Sequence, residues 1–123
     1  MKIICKRQDL GKGLATVSHA VSTRSTLPVL ANLHLATEDN SIRLSATNLE
    51  IAITCRVPAR VESEGATTVP AKLLNDFVGA LDAGEVELGP LPGGQQGVRV
   101  RSGTSEANIR GMDPSEFPAI QKV

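Results

Sequence analysis

Apolar residues recur along this chain with two periods. Leu10, Leu14, Val17 and Val21 stand four, three and four apart, the spacing that sets them on one face of an α-helix. Gln8, Lys12, Ala15 and His19 fall on the opposite face. A second stripe of Leu74, Phe77, Val78 and Leu81 follows Pro70, which suits the first position of a helix, and stops before Gly84. Elsewhere the period is two. Lys2–Lys6 reads as an opening strand and Thr67–Val69 as a strand ahead of the second helix. Asn32–Thr37, Ile42–Ala46 and Glu50–Val57 form one set of three strands; Glu85–Leu88, Val98–Ser102 and Ser105–Arg110 form another. The turn Glu38-Asp39-Asn40-Ser41 marks a hairpin in the first set, and the loop Pro90–Gly97 separates the first pair of the second. Gly11 and Gly13 each cost the first helix about 1 kcal/mol relative to Ala, so packing must hold it.

The two halves repeat one order of elements. A shift of 64 lays Leu10, Leu14 and Val17 over Leu74, Val78 and Leu81. A shift of 56 lays Ile42, Leu44, Ile51 and Ile53 over Val98, Val100, Ala107 and Ile109. The reading is a duplicated β-α-β-β-β unit, an α+β fold with two helices packed on antiparallel sheets. Recurring apolar periodicity is common in α+β domains, and the pattern alone leaves duplication and coincidence equally open.

Composition narrows the function. The chain has 123 residues, 41% of them apolar, enough for one domain with a real core. Aromatics make up 2%, Phe77 and Phe117 with no Tyr or Trp, which argues against a reader that stacks bases on aromatic platforms. Thirteen basic and thirteen acidic residues cancel, so the overall basicity of an autonomous DNA binder is missing. The cancellation hides an asymmetry. Residues 1–24 carry Lys2, Lys6, Arg7, Lys12 and Arg24 against Asp9 alone, a net of +4, and the remainder carries −4. Such segregation makes a local field suited to a polyanion. Two cysteines, Cys5 and Cys55, are too few for a disulfide scaffold, and there is no signal or membrane-spanning pattern. A cytosolic, reduced protein is the simplest reading.

Five segments, in order, carry a family resemblance. They are Arg24-Ser25-Thr26-Leu27-Pro28-Val29-Leu30-Ala31-Asn32-Leu33, Ala46-Thr47-Asn48-Leu49-Glu50-Ile51, Gly65-Ala66-Thr67-Thr68-Val69-Pro70-Ala71, Val100-Arg101-Ser102-Gly103 and Glu116-Phe117-Pro118. Together they resemble the first domain of the bacterial DNA polymerase III beta subunit, the sliding-clamp family, across residues 1–123. The resemblance implies the DNA-clamp fold and a non-enzymatic processivity factor. In that family three such domains form a chain, and two chains close a homodimeric ring around double-stranded DNA. A clamp loader installs the ring, which tethers the replicative polymerase, DNA polymerase III. It also implies that the chain continues into further domains, and that this piece alone is a monomer. No cofactor or metal is implied.

Candidate residues follow from both readings. Arg24 matches the family's duplex-contacting loop arginine and sits among small Ser and Thr residues. Lys12 lies on the exposed face of the first helix, the face that by the resemblance would line the hole and meet DNA, a reading that stands level with an ordinary surface lysine. Arg7 stands at that helix's start, where a cation opposes the dipole, a placement that fits either DNA contact or snorkelling beside the core. Thr104, Glu106, Ala107 and Ile109 correspond to the ring-closing edge, with Ile109 as its apolar anchor. On the second helix, Lys72 is opposed by Asp76 and Asp82, which gives it no positive face.

Two other classes compete. One is an α+β interaction module with no DNA role. The other is a small hydrolase using Cys55 with His34, although buried strand cysteines are far commoner. Gly11-Lys12-Gly13 lacks the Gly-Lys-Ser/Thr ending of a phosphate loop, and His19 and His34 have no zinc-spaced partner.

Overall fold

The computed structural model describes residues 1–21, 28–82 and 84–117. Strand β1 (Lys2–Lys6) leads directly into helix α1 (Arg7–Val17), whose Leu10, Leu14 and Val17 are buried as the stripe requires. The helix closes at Val17, and a short 3₁₀ turn (Ser18–Ala20) carries the chain to Val21. Strands β2 (Asn32–Glu38), β3 (Ser41–Thr47) and β4 (Ala52–Ser63) complete the first unit. Strand β5 (Ala66–Pro70), helix α2 (Ala71–Gly79) and strands β6 (Glu85–Gly89), β7 (Gly97–Ser102) and β8 (Ser105–Arg110) repeat the order. Pro70 caps α2 from outside rather than opening it.

The strands run β5-β2-β3-β4-β1-β6-β7-β8, with every pairing between them antiparallel. The leading strand of each unit is exchanged: β1 lies beside β6, and β5 beside β2. The repeat is therefore one interlocked core rather than two side by side. Ile42 and Leu44 are buried like their counterparts Val98 and Val100, and one cluster joins both helices to the sheet.

Strand β4 is longer than its alternation suggests, because it changes neighbours part-way. Ala52–Pro58 pairs with β3, and Ala59–Ser63 with β1. Pro58 sits at the handover. The Ala59 amide points toward the β2–β3 turn, bonding Asn40 O at 3.1 Å, so the missing Pro58 amide faces the other way, where β1 ends and the chain turns into α1. Proline costs the ladder nothing there.

The sequence leaves Gly13 unexplained, and the packing explains it. A Cβ at Gly13 would stand 2.7 Å from Val57 Cγ2 and 3.0 Å from Leu44 Cδ1. Glycine lets α1 lie directly on β3 and β4, and its poor helix propensity is the cost of that approach.

Beyond β8 the chain crosses the outer face of β2, the face away from the helices. Phe117 clusters with Leu30 and Met112, and its ring lies 5.4 Å from that of His34. Burial, and then the charge of Arg43, hold the His34 pKa below its ordinary value. The neutral ring is thus the form that the fold favours. The unfolded chain binds the proton more readily, so stability is full above the ordinary histidine value and falls as pH drops through the lowered one. One proton limits the slope to about 1.4 kcal/mol per pH unit. Urea titrations from pH 7.5 downward should show the decline, and His34→Leu should flatten it; an equal decline in the variant would assign it to other groups.

Candidate nucleic-acid interface

The helices present the surface opposite the strands' outer face. On α1, Gln8, Lys12, Ala15 and Thr16 are exposed; on α2, Lys72, Leu73, Asn75 and Asp76 are. Charge is handled differently on the two sides. All seven ion pairs found among the described residues belong to the outer strand face. Lys2 bridges Glu62 and Glu87, and Arg60 meets Glu62. Arg101 meets Glu87, Arg99 meets Glu106, and Glu38 lies between Arg43 and Arg56. Lys12 and Lys72, on the helices, make no ion pair within 4.0 Å among the described residues. Asp76 and Asp82 make no ion pair with Lys72, although Asp76 stands one turn along the same helix. A cation already paired on a strand has less to offer a phosphate than one held out from a helix.

Arg24 lies outside the described residues. Lys12 stands where the helical period puts it, exposed in the middle of α1. Arg7 does not reach outward freely. Its Nε donates to Val78 O at 3.1 Å and its Nη2 to Gly79 O at 3.2 Å. Both acceptors belong to the last turn of α2, where the dipole is negative, and Val78 O takes the guanidinium in addition to Leu81 N at 3.2 Å.

The expected ring edge is only partly available. Among the described residues β8 pairs with β7 alone and is the last strand of the sheet order, so no described strand covers its other side. Glu106 is exposed and held by Arg99 Nε at 3.0 Å; Thr104 is exposed at the preceding turn, and Ala107 is half-buried. Ile109 corrects the expectation of an apolar anchor: it is 6% exposed and belongs to the core. Strand alternation sends Ala107 and Ile109 inward and Glu106, Asn108 and Arg110 outward. The exposed apolar residue on this flank is Leu73, 56% accessible, on the helix that packs against β8. The sequence carries a signal for it: in Leu73-Leu74, a one-face helix buries only one of two adjacent leucines.

The hydrolase reading loses its geometry. Cys55 Sγ lies beneath α1, beside Gly13, whereas His34 packs against Phe117 on the opposite face of the sheet. The other thiol, Cys5, is buried, and burial, with smaller effects of Asp9 and Glu85, pushes its pKa up to about 12. A thiol held that high carries almost no thiolate at neutral pH. No group of three metal-capable side chains converges among the described residues. No helix among them is long and apolar enough to cross a membrane.

Comparison with known proteins bears on this arrangement directly. The family described as "DNA polymerase III beta subunit, N-terminal domain" matches residues 1–121. The chain belongs to this family. Among relatives, the beta sliding clamp of Synechocystis sp. is 41% identical over 129 aligned residues, covering 100% of this chain and 33% of the relative. That of Vibrio cholerae is 36% identical, covering 98% and 33%. This clamp-family domain therefore spans about one third of the length of these two relatives. The crystal structure of the Caulobacter crescentus sliding clamp superposes with a TM-score of 0.92 at 30% identity, covering 99% of this chain and 33% of that one. The Bacillus subtilis clamp superposes at 0.93 with 24% identity, covering 100% and 34%. The α+β clamp fold, with its two helices on antiparallel strands, is thus the domain's architecture.

Proposed function

We propose that this chain serves as the first domain of a replication sliding clamp. In this reading it is a non-enzymatic processivity element that helps encircle duplex DNA without reading its sequence, and so tethers DNA polymerase III. The observation that carries the reading is the division of charge. Six strand-face cations, Lys2, Arg43, Arg56, Arg60, Arg99 and Arg101, are engaged by carboxylates, with Lys6 and Arg110 the exceptions at strand ends. By contrast, neither Lys12 nor Lys72 on the helices has an ion-pair partner among the described residues, alongside a +4 excess in residues 1–24. A sliding ring needs phosphate contacts that position without specifying, each weak, because topology rather than affinity prevents escape.

Arg24 and Lys12 are the proposed phosphate contacts. The side of β8 away from β7, with Thr104, Glu106 and Ala107 beside Leu73, is the proposed edge toward a neighbouring clamp domain in a homodimeric ring. One such edge makes half of a head-to-tail contact, so the chain by itself stays monomeric. Loading by a clamp loader and a cytoplasmic location belong to the same reading.

Anisotropy titrations with duplexes of unrelated sequence at low salt test it. Binding should be weak and sequence-independent. Arg24→Ala and Lys12→Ala should each shallow the plot of log affinity against log salt by about 0.9, equally for every sequence. Unchanged binding in both variants, or a loss confined to one sequence, would overturn the assignment.

A further inference from the structure

Arg7 begins α1, yet its guanidinium closes α2. An arginine in a first turn opposes its own helix dipole. Here that conflict is removed, because the fork spans Val78 O and Gly79 O, two carbonyls at the negative end of the other helix. Arginine can do this where lysine cannot: its planar group offers two donors in fixed geometry, whereas an ammonium is a single point. The contact joins residues 71 and 72 positions apart.

The tie has no counterpart at the other end of the pair. The shift of 64 that relates the helices carries Arg7 onto Ala71, which has no side-chain donor. The last turn of α1 is instead closed locally. Ser18 N donates to Leu14 O, Ser18 Oγ to Ala15 O at 2.9 Å, and Thr16 Oγ1 to Lys12 O at 3.0 Å. Among the described residues, then, side-chain hydrogen bonding fixes the helices to each other only where α1 starts and α2 ends. No such side-chain tie is found among the described residues where α2 starts, at Ala71 and Lys72.

We propose that Arg7 is a positioning residue: it ties α1 to α2 so that Lys12 and Lys72 face one duplex together, and it touches no phosphate itself. This rests on the duplex reading above. Two arms of one experiment separate them. The first is a spin-label distance between Ala15 and Asn75, both exposed, in a chain with Cys5→Ala and Cys55→Ser and without DNA. Arg7→Ala and Arg7→Lys should both broaden the distribution, and Lys12→Ala should not. The second is the duplex salt dependence. Arg7→Ala should weaken binding several-fold with the slope intact, whereas Lys12→Ala lowers it by about 0.9. A slope loss of that size for Arg7→Ala would make Arg7 a phosphate ligand and overturn the proposal. An unchanged distance in Arg7→Ala, or full restoration by lysine, would overturn it too. Absence of duplex binding by the unsubstituted chain would sink the duplex reading, and the distance arm would then decide the tie alone.

Discussion

Gly111→Ala should prevent this domain from folding stably, at a cost above about 4 kcal/mol, a size reserved for a few structural mechanisms. The reason is steric, since Gly111 is not among the glycines with positive φ and alanine could adopt its backbone. A Cβ there, however, would overlap the Thr68 carbonyl oxygen and its carbon, atoms of a neighbouring strand rather than a side-chain tip that can rotate away. Strand β5 stands on the far side of that contact. Relief would require parting β5 from the chain beyond β8, just where the two ends of the sheet meet. Gly103→Ala is the control. Gly103 has a φ of +58°, and a Cβ added to it would meet nothing within 4 Å, so only the left-handed conformation is penalised, by about 1–2 kcal/mol. Urea denaturation followed by circular dichroism separates the two. A Gly111→Ala domain that loses no more stability than Gly103→Ala would show that β5 moves freely.

The elements were legible because their signals are local. A stripe at three and four, or an alternation of two, needs only a short window, and the paired shifts of 64 and 56 left duplication and coincidence level until the two units were seen to repeat one element order. What the sequence could not show were consequences of contacts between distant segments. β4 runs past Pro58 because β1 waits on its other side. Gly13 is needed because Val57 and Leu44 approach from strands some thirty and forty residues away in the chain. Arg7 read equally as a functional cation or as one snorkelling beside the core, because its acceptors lie in another helix. Ile109 looked like an edge anchor because a residue in a terminal strand still has one face on the core. The division between paired and unpaired cations was equally hidden: the net charge of zero says nothing about which lysines meet carboxylates. Leu73 was the exception, a site feature readable from adjacent leucines on a one-sided helix.

Thr68→Val should cost the fold about 3 kcal/mol, although it replaces one side chain by another of nearly the same shape. Thr68 is fully buried, and its hydroxyl uses all of its capacity. Oγ1 accepts from Met112 N at 2.9 Å and from Asn32 Nδ2 at 3.1 Å, and donates to Met112 O at 2.9 Å. These bonds do the work that a backbone ladder does at the corresponding handover from β3 to β1 along β4. In the second unit the chain past β8 meets β5 for only a residue or two, and a hydroxyl must serve both groups of Met112. Valine leaves the Met112 amide and carbonyl and one Asn32 hydrogen without partners, each worth about 1–3 kcal/mol if buried, and the added methyl returns about 0.8 kcal/mol. Thr67→Val should cost less. Its Oγ1 accepts from Gly97 N at 2.9 Å, but its other partner, Gln96 Oε1 at 3.1 Å, belongs to an exposed side chain that can turn to water. The check is the urea midpoint of each variant at constant m-value, so that the change reports stability rather than compactness. A Thr68→Val loss no larger than that of Thr67→Val would mean that water replaces the hydroxyl and that the seam beneath β8 is open to solvent.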